Sequence, residues 1–225
     1  MVFLRRRRGS GENRPAQRPR RLHVGCGEQV LQGWCNIDIQ ALPGVDLVHD
    51  VTQGFPFVDV ELIFCEHFIE HLELDDGVRF LFNCYASLQP GGVMRVSTPN
   101  LDWVVLTHYR PTAEDLERKI EDAFMLNRAF HGWGHRFLYN REILDHLLRG
   151  VGFSEVAPCS YGESSQPPLR GLERHPRSEF TPDLPDVIIF EAVRGQDKPN
   201  ARALEQLLAR ATTSYLQYLP WRKRP

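Results

Sequence analysis

Along the chain, short apolar runs alternate with longer stretches in which apolar residues recur at helical spacing. Leu22-His23-Val24 ends at Gly25 and reads as a first strand. Asn36-Ile37-Asp38-Ile39 and Val45-Asp46-Leu47-Val48 read as a second and third, and residues 60–65 as a fourth. Residues 75–88 carry Val78, Leu81, Phe82 and Tyr85 on one helical face, and Gln89-Pro90-Gly91-Gly92 stops that helix before a fifth strand at 93–97. Short strands joined by helical or turn connections predict an α/β domain with a parallel sheet. A long excursion follows Pro99. Its main helix is predicted from Pro111 to about Ala129. Asn140 is placed to cap a helix over 141–149, and Gly150 to end it. A sixth strand is predicted at 153–157 and a strongly apolar seventh at 186–193. Between them lies a polar loop, 158–185, rich in Pro, Ser and Gly. Residues 201–216 form a late amphipathic helix with Leu204, Leu207, Leu208 and Ala211 on one face.

Composition adds a division that the average hides. The 225 residues carry a net charge of −2 and are 42% hydrophobic, enough for a sizeable core. Residues 1–21 hold eight arginines and one acid, a charge of +7, whereas the rest of the chain carries −9. The Arg-rich stretch 1–20 is too poor in apolar residues to bury itself and is expected to be a disordered tail. Residues 21–225 are expected to form a single domain, with excursions at 99–137 and 158–185 over the substrate side. The acidic body argues against a long phosphate backbone as partner, so nucleic acid is not the expected ligand. The five cysteines are odd in number and no two lie two residues apart. This argues against a disulfide framework and a Cys-only zinc site, and a reduced cytoplasmic setting is expected. No apolar run approaches the ~20 residues of a membrane span.

The chemistry starts at the first strand. A strand, then Gly25-Cys26-Gly27, then Asp38 ending the second strand describes a nucleoside-binding loop. Glycine lets the backbone approach a ligand closely, and a carboxylate at the tip of strand two can accept from both ribose hydroxyls. The third glycine of a dinucleotide fingerprint is missing, and Glu28 stands where a pyrophosphate would lie. The expected ligand is therefore a nucleoside without phosphates.

With these elements the sequence resembles class I S-adenosylmethionine-dependent methyltransferases, well over about 21–101 and more loosely over 130–194. The resemblance is carried by His23-Val24-Gly25-Cys26-Gly27, by Gly33-Trp34-Cys35-Asn36-Ile37-Asp38 and by Asp46-Leu47-Val48-His49-Asp50. It continues through Glu66-His67-Phe68-Ile69-Glu70-His71-Leu72 and Leu88-Gln89-Pro90-Gly91-Gly92. The Asn-x-Asp of strand two resembles a subgroup associated with glycan biosynthesis. The resemblance implies a Rossmann-like, doubly wound, mostly parallel seven-stranded sheet with helices on both faces and an antiparallel last strand. It implies S-adenosyl-L-methionine as cofactor. The backbone of Gly25, Cys26 and Gly27 would face its methionine part and Asp38 its ribose. Asp50 and Val51 would face the adenine edge, and Cys65 and Glu66 the region near the sulfonium. His23 stands where many relatives carry an acid for the cofactor's ammonium.

Three polar clusters remain. Glu66, His67, Glu70 and His71 repeat an acid–His pair at a spacing of four, which on a helix would share a face. Two histidines so spaced can grip a divalent ion. The reading adopted is a pair that stabilises the turn after strand four, with no metal. The run 131–137 sets two histidines and a tryptophan between glycines, as a substrate wall would. Tyr161-Gly162-Glu163-Ser164-Ser165 and Leu172-Glu173-Arg174-His175 are expected to line an acceptor pocket. Methyl transfer to a hydroxyl needs a general base, and histidine suits that task. His67 is the first candidate, followed by His131 and His135. The function read from the sequence is O-methylation of a sugar, a glycan precursor or another small molecule. A catalytically inactive nucleoside-binding module and a nucleic-acid methyltransferase using the Arg tail are the alternatives.

Overall fold

A computed structural model describes residues 19–110, 112, 114–175 and 184–216. The expectation for the Arg-rich tail, the Pro111 start of the excursion helix and part of the 158–185 loop lie outside the described residues.

Seven strands form one sheet: β1 (Arg21–Val24), β2 (Cys35–Asp38), β3 (Leu47–Val48), β4 (Val60–Glu66), β5 (Leu88–Pro99), β6 (Phe153–Pro158) and β7 (Val187–Arg194). Their order is β3-β2-β1-β4-β5-β7-β6. The strands from β1 to β5 pair in parallel, and β7 runs antiparallel to both β5 and β6. The strand order reverses between β1 and β4, whose ends meet with Val24 opposite Cys65. In an open α/β sheet this is where a crevice forms outside the carboxyl ends and ligands bind.

Helices lie around this sheet unevenly. Alternate residues of each strand point to opposite faces. Leu22, Val24, Ile37, Ile63, Cys65, Met94, Val96, Ile188 and Phe190 enter one core, against α1 (Leu74–Ser87), α4 (Arg141–Val151) and α5 (Ala201–Leu216). Each fully buried aliphatic side chain there contributes about 1.5–3 kcal/mol. The Asn140 side chain accepts from the Ile143 N–H at 3.0 Å and starts α4. The helix ends at Gly152, whose φ of +119° lies in the left-handed region. Gly150, expected as the stop, lies inside α4 instead. A Cβ there would lie 2.8 Å from the Leu207 side chain, so its smallness lets α5 pack close.

The opposite face carries Trp34, Leu62, Phe64, Val93 and Leu169. Onto it pack Leu31 and Trp34 from one segment and Leu169 and Leu172 from a second, which includes the 3-10 turn Pro167–Leu169. Arg95 of β5 holds the second segment down. It is fully buried, and its Nε donates to Glu173 at 2.6 Å, its Nη1 to Glu191 at 2.8 Å and its Nη2 to the Ser160 carbonyl at 3.2 Å. Burial opposes the charge, but the two carboxylates outweigh it and hold the guanidinium pKa above its ordinary value.

The excursion after β5 contains α2 (Leu101–His108), which the sequence pattern did not suggest, and α3 (Leu116–Asn127). Asn100 caps α2 by accepting from the Asp102 N–H at 3.0 Å. The helix expected up to residue 129 passes into a wider π turn, Arg128–Gly132, before the glycine–tryptophan segment. No described helix is long and apolar enough to cross a membrane.

Candidate active site

The loop after β1 turns sharply because Gly25 and Gly27 adopt φ of +66° and +51°. A Cβ on Gly25 would meet the Phe68 ring at 2.4 Å, so only glycine fits. The N–H groups of Gly25 and Cys26 both donate to the Ile37 carbonyl, at 2.9 and 3.2 Å. Asp38 ties the loop to β2: its Oδ2 accepts from the Gly27 N–H and its Oδ1 from the Gln40 N–H, each at 2.9 Å. Two residues earlier, Asn36 has a structural task. Its Oδ1 accepts from the Leu31 N–H at 2.8 Å, and its Nδ2 donates to the Leu31 carbonyl at 3.1 Å. With that oxygen as acceptor, His23 Nδ1, at 3.1 Å, is the donor. Burial pushes His23 below its ordinary pKa.

These residues line a cleft of about 340 Å³, bounded by His23, the 25–31 loop, Glu66, His67, Arg174 and His175. At its inner end Glu66 clasps the distant loop. Its carboxylate accepts from the Arg174 N–H at 2.9 and 3.0 Å and from the His175 N–H at 3.1 Å, and His175 Nδ1 lies 3.5 Å away. Burial alone would raise Glu66, but the hydrogen bonds from His175 and Arg174 outweigh it and hold the carboxyl below its ordinary value. The same bond to Glu66 raises His175 against the opposing effect of its burial.

His67 follows directly and is one of two described non-glycine residues with positive φ, at 48°. Its backbone N–H donates to Ser97 at 3.0 Å, and its ring stacks on His175 with centroids 3.8 Å apart. Its Nδ1 lies 3.2 Å from Glu70 Oε1, while its Nε2 is buried without a hydrogen-bond partner. The expected shared face of Glu66, His67, Glu70 and His71 does not form. The helical turn is only Ile69–His71, and the left-handed backbone at His67 swings that ring away.

His67 and His175 also wall a second cleft, of about 420 Å³, lined by Glu70, His71, Trp103, His108, Trp133, His135 and Asp186. His135 is buried, with Nδ1 2.7 Å from the Ala129 carbonyl. Burial again lowers its pKa. Trp133 forms an exposed rim beside it, with ring centroids 5.8 Å apart.

Of the residues singled out in the sequence, Gly25, Cys26, Gly27, Glu66 and His67 line the first cleft, and His67 and His135 the second. Asp38 adjoins the first through Gly27. Asp50 and Val51 line neither. Asp50 is exposed and caps a 3-10 turn by accepting from the Thr52 N–H and hydroxyl at 3.0 and 2.7 Å, bonds that hold its carboxyl low. The Val51 carbonyl accepts from Asn83 at 2.9 Å. The Cys65 side chain is fully buried in the helix-covered core, which pushes its thiol up. His131 is exposed and lines neither cleft. Trp103 and His108 were not singled out, because α2 itself was not expected. The only sequence signal for it was the Asn100 cap.

No protein-family model and no curated protein matches the chain. Solved structures do. A methyltransferase from Thermotoga maritima, described as S-adenosylmethionine-dependent and a possible histamine N-methyltransferase, is 16% identical. The match covers 78% of this chain and 81% of that one, with a TM-score of 0.51. An S-adenosylmethionine-dependent methyltransferase from Archaeoglobus fulgidus is also 16% identical, over 79% and 86%, with a TM-score of 0.49. Phosphoethanolamine N-methyltransferase 2 of Haemonchus contortus, solved with S-adenosyl-L-methionine, is 13% identical over 81% and 50%, with a TM-score of 0.47. At 16% identity the likeness to the Thermotoga structure is one of fold alone, a Rossmann-like α/β sheet.

Proposed function

We propose that the chain is an S-adenosylmethionine-dependent methyltransferase that methylates a hydroxyl oxygen of a small polar acceptor, of the kind a sugar or glycan precursor offers. The observation that carries this reading is the pair of clefts that share His67 and His175 as a wall, where the strand order reverses.

The first cleft fits the cofactor. The Phe68 ring closes the space beside Gly25, whereas the space beside Gly27 is open for a ligand. Asp38 keeps lone pairs beyond those used by the two N–H groups, available to ribose hydroxyls. Glu28 and Glu66 answer an ammonium and a sulfonium, and Arg174 a carboxylate. When bound, the cofactor supplies a methyl group on a sulfonium, and in-line displacement moves that methyl to the acceptor oxygen while sulfur keeps the electron pair as a neutral thioether. Cys26 does not compete for the methyl group, because burial pushes its thiol up to about 11 and keeps it neutral.

The remaining work is positioning and proton removal. Trp103 and Trp133 offer flat surfaces for an acceptor, and a cleft of this size suits a small molecule. His67 takes the hydroxyl proton at Nε2, the nitrogen without a partner. Neither other histidine is placed as well: His131 lies outside both clefts, and His135 reaches only the second.

Calorimetry with S-adenosyl-L-methionine tests the reading on the full chain. One site is expected, weakened roughly 10–100-fold in Asp38→Ala by the loss of charge-assisted hydrogen bonds. No binding at millimolar cofactor would remove the assignment. Tight binding with no turnover across hydroxyl acceptors would favour a nucleoside-binding module.

A further inference from the structure

Three side chains converge in the second cleft that methyl transfer, as described, does not use. Glu70 and His71 belong to the turn after β4, and His135 arrives from the far side of the glycine–tryptophan segment. One potential ligand atom from each lies within 4.8 Å of the other two. The backbone holds the two segments together, since the N–H groups of Arg136 and Phe137 both donate to the Glu70 carbonyl, at 2.7 and 3.2 Å.

The polar atoms here are satisfied in a selective way. Glu70 has no exposed surface. Its Oε2 accepts from the Thr98 hydroxyl at 2.9 Å, whereas its Oε1 is buried without a hydrogen bond, with His67 Nδ1 3.2 Å away. A carboxylate oxygen withheld from water and left unmatched is costly unless a positive partner meets it. Each histidine, in turn, has one nitrogen committed to a backbone carbonyl: His135 Nδ1 to Ala129 at 2.7 Å and His71 Nδ1 to Gly134 at 3.3 Å. A carbonyl only accepts, so each Nδ1 carries the proton and each Nε2 keeps its lone pair. Outer hydrogen bonds of this kind orient histidines that ligate metals.

We propose that Glu70, His71 and His135 form a three-ligand site for a divalent first-row transition ion of the zinc type. Two imidazole nitrogens and one carboxylate oxygen suit such an ion better than magnesium or calcium, which prefer all-oxygen sites. Three protein ligands leave a position open toward the cleft. There an acceptor oxygen can bind beside His67, a role that rests on the methyltransferase reading, whereas the site itself does not. In the sequence, Glu70 and His71 read as a pair that stabilises the turn after strand four, because only one of the two histidines that meet here is near in the chain. The second comes from 64 residues further along the chain.

The test is zinc titration of tag-free, chelator-stripped full-length protein, with free zinc read by a competing chromogenic chelator and bound zinc by elemental analysis. One equivalent is expected, with a rise in melting temperature. His71→Ala should weaken binding at least tenfold, and this exposed position keeps the fold intact. His135→Ala should do the same, with circular dichroism confirming folding, and Cobalt(II) should give the visible absorption of a low-coordinate site. His146→Ala, on the exposed face of α4, should change nothing. Less than a tenth of an equivalent bound, or binding unaltered in His71→Ala, overturns the site. Calorimetry with S-adenosyl-L-methionine on the same metal-free protein separates the two readings: zinc without cofactor binding keeps the site, and cofactor without zinc binding overturns it alone.

Discussion

The two clefts share His67 and His175 and are otherwise made in different ways. The first is mostly one continuous loop, 25–31, whose N–H groups are tied to Ile37 and to Asp38. The second draws side chains from the turn after β4, from α2, from the glycine–tryptophan segment and from the edge of β7. It also keeps buried polar atoms without hydrogen bonds: His67 Nε2, Glu70 Oε1 and Trp103 Nε1. Each such atom costs about 1–3 kcal/mol until a partner meets it. Where such atoms line a cleft, a ligand can supply the partners. A pocket made of backbone suits a constant ligand, and one made of side chains from scattered segments suits a ligand that differs between proteins.

The largest expected effect falls on the shared wall. His67→Ala should lower kcat by about 10²–10⁴ and change cofactor affinity far less, although its ring walls that cleft too, read by steady-state kinetics beside calorimetry. Turnover within tenfold of the native protein would move the base elsewhere and break the division of labour between the clefts. Next, Arg95→Met should leave the buried Glu173 and the half-buried Glu191 without their cation. A loss of about 3–5 kcal/mol in urea unfolding is expected, with both clefts weakened because the 172–175 segment lines both. Native stability in that variant would mean that the loop is held by other contacts.

A smaller and one-sided effect is expected from Gly25→Ala. Strain of about 1–3 kcal/mol arises from the positive φ and the clash with Phe68. Cofactor affinity should fall by about tenfold or more while zinc binding in the other cleft persists. Equal losses in both would show that the clefts are mechanically one. The smallest effect is in pH. The Glu66–His175 contact lowers one pKa and raises the other. The His175 share of stability is complete below the ordinary histidine value of 6.5 and is lost as pH rises through its raised value. The Glu66 share is complete above the ordinary value of 4.5 and is lost as pH falls through its lowered value. The melting-temperature difference between native protein and His175→Ala should therefore be widest between these values and narrow above them. A flat difference would mean that the contact is only steric.

Much of the sheet could be read from the chain because strand signals are local. Leu22-His23-Val24, the 60–65 run and the 186–193 run all became strands within a residue or two, and Ala201–Leu216 is helical as its periodicity implied. The Gly25–Gly27 turn and the Asp38 tip were visible for the same reason, since eleven residues bring them together at the Gly27 N–H. Local spacing misled where a turn replaced a helix. The four-residue interval from His67 to His71 suggested a shared face, but a left-handed residue followed by a single 3-10 turn places the two rings in different contacts.

The sequence by itself therefore determined the α/β alternation, the glycine turn and the carboxylate at the tip of strand two. These depend on backbone conformations and hydrogen bonds between near neighbours. Only the tertiary structure decided which side chains face one another across the second cleft. The stacking of His67 on His175, the clasp of Glu66 on Arg174, and the meeting of His71 with His135 each join residues 64 to 108 positions apart. No periodicity spans such intervals. The contacts exist because the sheet brings its strand ends to one edge and the Arg95 ion cluster holds the returning loop against it.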